Sequence, residues 1–214
     1  HALADHRAVH ILEELAAATD DLAVELGRPL SLIAESDLND PRMITARADH
    51  GLGMTAQWDD DIHHSLHAFF TGETDGYYSD FGSAATLVKA FTKVFVHDGG
   101  WSSFRNQNWG APVDVHSTHY DAASFVSFIQ DHDQVGNRAR GDRLTHLVSP
   151  GRLACGAALL LTGPWTPMLF MGEEWGASTP WQYFTDHVDR ELAAAVSKGR
   201  AEEFSAHGWG GVVP

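Results

Sequence analysis

Glu35 closes the apolar part of SLIAESDLNDPRMI (residues 31–44), just where a polar loop begins. Asp131, His132 and Asp133 stand in the same relation to a second apolar run, in ASFVSFIQDHDQVGNR (123–138). Two carboxylates at the ends of separate apolar runs are what glycoside hydrolysis requires. One protonates the departing oxygen, and the other attacks or stabilises the oxocarbenium-like centre. A glutamate at the mouth of an apolar strand is partly desolvated and near like charges, and both effects favour its acid form. The same position also suits a turn or a helix cap, and the residues around Glu35 alone do not separate the two.

Other chemistry-bearing groups sit after further apolar runs: Trp58-Asp59-Asp60 after MTAQW, and Glu173-Glu174-Trp175 after TPMLFM. Trp58, Trp101, Trp109 and Trp175 suit stacking on the apolar C–H faces of a pyranose, and equally suit packing at a loop base. His63, His64 and His67 in DIHHSLH lack the HExxH pattern of a metal-binding helix and are read as packing and hydrogen-bonding residues, so no metal is expected. The glycines of GPWTP and MGEEWG lack a strand-GxGxxG-helix context, which removes a nucleotide fingerprint.

These groups need a scaffold that brings strand ends to one side. Residues 3–26 carry leucines and alanines at mostly helical spacing, stopped by Gly27. PLSLIAES follows without alternation, as a strand buried on both faces reads. The pattern recurs: MTAQW (54–58) as strand, HHSLHAFFTG as helix, ATLVKAFTKVFV (85–96) as helix, ASFVSFIQ (123–130) as strand, GRLACGAALLLTG as helix and TPMLFM (166–171) as strand. Four strands interleaved with helices predict an α/β fold with a parallel sheet, its polar residues gathered at the carboxyl ends of the strands. Between Val96 and Ala123 lies a long loop rich in Gly, Trp, Asn and His, a length that compact domains usually reserve for function.

Composition narrows the partner. The 214 residues hold 14 Lys and Arg against 29 Asp and Glu, a formal charge of −15, which disfavours nucleic acid and anionic membranes. A neutral or cationic small molecule fits better. The apolar run LACGAALLLTG is well short of the roughly 20 residues of a membrane span. The single cysteine, Cys155, excludes an internal disulfide and agrees with a reducing, cytoplasmic compartment.

FIQDHDQVGNR, AESDLNDPR, TPMLFMGEEWG, AQWDDDIHHSLHAFFTGE, GYYSDFG and VHDGGWSSFR together, in this order, resemble the alpha-amylase superfamily of glycoside hydrolases. The resemblance implies the carboxyl-terminal half of a (β/α)8 TIM barrel over residues 1–201, from the exit of the fourth strand to beyond the eighth, with 202–214 a linker. It implies Glu35 as the acid/base and Asp133 as the stabiliser of the transition state, with His132 bonding sugar hydroxyls. His1 resembles the last residue of the fourth-strand motif whose aspartate is the nucleophile, so that aspartate is expected upstream of His1. Asp37, Trp58, Asp60, Arg138 and Trp175 join His132 and His1 as substrate-binding candidates. The substrate implied is maltooligosyltrehalose or another α-1,4-glucan, cleaved with retention next to the terminal trehalose and without a cofactor. Another glucan hydrolase, a branching enzyme or a non-catalytic glycan-binding half-barrel stays open at this stage. One position departs from the pattern: the superfamily more often has Asn where this chain has Asp131.

Overall fold

The computed structural model describes residues 5–117 and 120–206, with side chains through residue 202. His1 lies outside the described residues. The chain divides into two compact units, His1–Ile129 with Ala154–Met168, and Gln130–Leu153 with Leu169–Pro214.

The first unit is built on a parallel four-stranded sheet. Its strands are β1 (Ile33–Ala34), β2 (Ala56–Trp58), β5 (Phe125–Ser127) and β6 (Thr166–Pro167), neighbours in chain order. Register pairs Ala34 with Gln57, Trp58 with Val126 and Ser127 with Pro167. All four predicted strands are present, each as a short segment within its apolar run. Because every pairing is parallel, the carboxyl ends of the strands share one edge, and Glu35 and Asp59 both follow strands there.

Helices connect the strands. α1 (Ile11–Leu26) begins later than its apolar spacing predicts, at residue 11 rather than 3. Asp5 draws the backbone N–H of Arg7 and of Ile11 to its carboxylate, holding the chain in a turn before the helix, and His10 caps it by accepting from the Leu12 N–H. Gly27, at φ +62°, ends α1 as predicted. Ala16 buries against Ala34, Met43 and Met54.

α2 (Asp60–Thr71) starts on the Asp59 cap, whose carboxylate accepts from the Ile62 N–H. The helix is buried on nearly all sides. His63 stacks on Phe128 with ring centroids 4.8 Å apart, and His67 on Tyr78 at 4.5 Å, so the histidines pack as the sequence reading holds. Burial pushes the His63 imidazole well below its usual range, and His64 down to about 4.

α3 (Ala84–Lys93) is shorter than its predicted run to Val96. The carboxylate of Asp61 takes the N–H groups of Val96 and His97 at 2.7 and 2.8 Å, which pulls the chain out of the helix. The long loop that follows contains a hairpin that its polar composition hides: β3 (Trp101–Ser102) pairs antiparallel with β4 (Gln107–Asn108).

In the second unit α4 (His132–Gly136) and α5 (Leu144–Leu147) follow one another, and α7 (Arg190–Ala206) comes after an irregular stretch. α6 (Pro150–Thr162) leads back to β6. α7 runs into the segment read as a linker, and residues 207–214 lie outside the described residues. Among the described residues no helix is long and apolar enough to cross a membrane.

Candidate active site

Each carboxylate is built up separately, Glu35 in the first unit and Asp133 in the second.

Glu35 follows Ala34 directly at the end of β1. It is exposed, rather than sheltered as a strand-mouth carboxylate is expected to be, because its side chain borders a cavity of about 680 Å³. Ser36, Leu38, Arg42, His50 and Met54 also line that cavity. The loop carrying Glu35 is pinned at two points. Asp37 accepts from Arg105 at 2.8 Å, and its backbone carbonyl accepts from the Trp109 indole at 2.7 Å. The Arg105 guanidinium lies 4.6 Å from the centre of the Trp109 ring, so a cation–π contact closes this triangle. Asn39, buried, donates its amide to Asp61 at 2.8 Å and to the carbonyl of His97 at 3.0 Å. Asp37 therefore faces a cation of the hairpin region as well as being a candidate for sugar.

Asp61 collects these bonds at the base of the loop. It is buried, and burial opposes its charge, yet the bonds from His97 hold its carboxyl below the usual range. His97 also meets Asp80 at 3.0 Å, and despite its own burial the two carboxylates raise its imidazole above the ordinary value. Neither Asp61 nor Asn39 was singled out from sequence. Their signal, a buried polar pair linking two loops, exists only in three dimensions.

Trp58 packs edge-on to Phe128 at 5.5 Å and is half-buried, as is Asp60. Trp101 and Trp175 are exposed, by 58 % and 73 %, and offer open ring faces, whereas Trp109 is taken up by Arg105 and Asp37.

Asp133 lies in the first turn of α4. The cap is Asp131, whose carboxylate accepts from the N–H of Asp133 at 2.7 Å and of Gln134 at 3.4 Å, while the Gln134 side chain accepts from the Asp131 N–H at 3.1 Å. This reciprocal box fixes the backbone from which Asp133 projects. Burial pushes the Asp131 carboxyl up. Asp133 is half-buried. Its Oδ1 accepts from the Tyr183 hydroxyl, and the His132 ring lies 3.6 Å from the same oxygen. Arg138, half-buried, follows α4. Tyr183 escaped the sequence reading, since PWQYFTD (180–186) carries no motif and only its aromatic density marks it.

Glu173 of the second unit accepts from the Phe170 N–H at 2.8 Å and bonds the Gln130 side chain. Burial pushes its carboxyl up to about 7. Gln130 in turn accepts from the Leu144 N–H at 3.1 Å, and Arg143 donates to the carbonyls of Met171 and Thr179, both at 2.7 Å. Among the described residues no group of three or more His, Cys, Asp or Glu side chains is placed to hold a metal ion.

Comparison with known proteins adds to this geometry. No family model matches the chain. A malto-oligosyltrehalose trehalohydrolase from Arthrobacter ramosus is 60% identical over 209 residues, which is 98% of this chain and 36% of that protein. The proteins of the same name from Mycobacterium tuberculosis (strain H37Rv) and Saccharolobus solfataricus are 53% and 45% identical, over 98% and 95% of this chain. A crystal structure of a provisional alpha amylase from Salmonella typhimurium superposes with a TM-score of 0.84 at 40% identity, covering 99% of this chain and 35% of that one. The chain thus spans about a third of the length of the curated relatives it matches.

Proposed function

We propose that this chain is the carboxyl-terminal half of the (β/α)8 catalytic barrel of a retaining glycoside hydrolase, and that the whole protein hydrolyses the α-1,4 bond next to the terminal trehalose of maltooligosyltrehalose. The observation that carries the proposal is the 60% identity over 98% of the chain to a protein named for that reaction. The parallel sheet, with Glu35 at a carboxyl strand end, supports it independently.

In this reading Glu35 protonates the departing glycosidic oxygen and later takes a proton from the attacking water. Its exposure on a cavity fits a group that must meet both a sugar oxygen and solvent in turn. Asp133 acts on the distorted glucosyl residue as positive charge develops there, and His132 beside it bonds sugar hydroxyls. In this reading a further aspartate of the whole protein serves as the nucleophile. Asp37, Trp58, Asp60, Arg138 and Trp175 serve as binding residues, and Trp175 has the open face that stacking on a pyranose needs. The chemistry requires proton transfer, charge stabilisation and a carboxylate nucleophile that bonds the anomeric carbon and is released by water; Glu35 and Asp133 supply the first two.

The test is product analysis of the full-length protein on maltooligosyltrehalose and, in parallel, on plain maltooligosaccharides of equal length. Free trehalose is the expected product from the first. Transfer to longer, branched glucans from the second would replace the hydrolase reading by that of a branching enzyme, and binding without turnover would replace it by that of a glycan-binding module.

A further inference from the structure

We propose that Tyr183 is a positioning residue for Asp133, holding Oδ1 through its hydroxyl and leaving Oδ2 to the sugar. The proposal rests on the role given to Asp133 above.

Three observations carry it. The first is the contact itself: the Tyr183 hydroxyl donates to Asp133 Oδ1 across 50 positions of sequence, and the His132 ring approaches the same oxygen. A terminal carboxylate torsion is broad and roughly two-fold, so an unrestrained Asp133 would exchange its oxygens freely. One donor on one oxygen removes that freedom, and a reacting group displaced by about 1 Å loses roughly 10²-fold in rate.

Second, the loop carrying Tyr183 is seated, not merely nearby. The Trp181 N–H donates to the Gly141 carbonyl at 3.0 Å, and the Gln182 amide to the Ala139 carbonyl at 3.3 Å. Trp181 packs edge-on to Phe170 at 5.4 Å and to Tyr183 at 5.2 Å. Arg200 of α7 lies 5.0 Å from the Tyr183 ring centre and donates to the carbonyl of Gly136 at 3.1 Å, joining the ring to the helix that bears Asp133.

Third, that helix has been cleared to receive the loop. A Cβ at Gly136 would lie 2.6 Å from Trp181 and 2.7 Å from Tyr183, and at Gly141 2.1 Å from the Trp181 carbonyl oxygen. Any side chain at either position pushes the aromatic pair away. A hydroxyl wanted only for solubility needs no such seat.

The experiment is a double-mutant cycle in the full-length protein, with Tyr183→Phe, Asp133→Asn and both together, assayed for trehalose release. Tyr183→Phe keeps the ring and its packing and removes the donor alone. The expected result is a kcat lowered roughly tenfold with KM changed less than about twofold, the pattern of an interaction made in the transition state. On the Asp133→Asn background Tyr183→Phe should change kcat by less than about twofold, since the oxygen it orients is no longer part of a carboxylate. A purely structural role would give the same factor on both backgrounds and would overturn the proposal, as would a Tyr183→Phe enzyme within twofold of wild type. Gly136→Ala, which dislodges the loop without touching the hydroxyl, should reproduce the kcat loss and make Tyr183→Phe silent when combined. Glu35→Gln and Asp133→Asn separate the two levels. If both are nearly inactive and Tyr183→Phe is normal, only the positioning role fails. If both retain normal turnover, the assignment of the reaction to these carboxylates fails and the positioning role falls with it.

Discussion

Replacing Glu173 by Gln should make the protein more stable in mild alkali and leave it nearly unchanged in mild acid. Glu173 is half-buried and its carboxyl is pushed from 4.5 up to about 7, chiefly by burial and further by the neighbouring charge of Glu174. The bonds from Phe170 and Gln130 hold it back only in part. A folded-state value above the unfolded one means that the native protein binds the proton more tightly. Its stabilising contribution is therefore complete below about pH 4.5, declines as pH rises, and is gone once pH has passed through about 7. A rise of this size corresponds to about 3 kcal/mol of unfolding free energy.

Glutamine keeps an oxygen for the Phe170 N–H but presents an amide where the Gln130 side chain also approaches, a mismatch costing about 1 kcal/mol. At pH 8.5 the variant should then be more stable by about 2 kcal/mol, and at pH 5 less stable by up to about 1 kcal/mol. Urea unfolding of wild type and Glu173→Gln at half-unit steps from pH 5 to 8.5 measures the difference directly. Parallel stability curves across that interval would show that Glu173 ionises in the folded protein as it does in water, and would refute the argument from burial.

Two further outcomes are expected. Glu35→Gln in the full-length protein removes the transferable proton while keeping the shape, and should lower turnover on maltooligosyltrehalose by roughly 10²-fold or more; near-normal turnover would return Glu35 to the role of a turn residue. Asp61→Ala leaves the Asn39 amide and the N–H groups of Val96 and His97 without their buried acceptor. It should destabilise the protein by about 3–5 kcal/mol in urea unfolding, and a change below about 1 kcal/mol would show that water replaces the carboxylate.

The sheet was legible because each of the four apolar runs contains its strand, but burial on both faces holds only for β2 and β5, whereas Ile33 of β1 and both residues of β6 are exposed. Gly27 likewise announced the end of α1, since only a residue tolerant of φ +62° closes a helix that way cheaply. The errors have a common physical origin. α1 starts late because Asp5 reaches forward to the Ile11 N–H, and α3 stops early because Asp61 captures the N–H groups of Val96 and His97. In both, a side chain outside the helix competes for backbone donors, which periodicity of apolar residues does not register. The site divides in the same way. Glu35 and Asp133 were singled out because strand ends and motif order mark them. Tyr183, Asn39 and Asp61 act through partners distant in sequence, and a single sequence carries no sign of such pairings.

Asp131 shows what the structure adds to a departure from pattern. The superfamily resemblance puts Asn more often at this position, and the extra carboxylate two residues before Asp133 suggests a penalty. What position 131 supplies, however, is the cap: one oxygen accepting from the N–H of Asp133 at 2.7 Å and of Gln134 at 3.4 Å. Asn and Asp carry that oxygen on the same short stem and rank together as helix caps, so the backbone under Asp133 is held equally by either. Asp131 is only 3 % exposed, and burial, reinforced by the proximity of Asp133, pushes its carboxyl above the ordinary range against the pull of the cap bonds. The exchange thus preserves the geometry beneath the carboxylate proposed to stabilise developing positive charge, because the cap bonds to Asp133 and Gln134 need only the oxygen that Asn and Asp share.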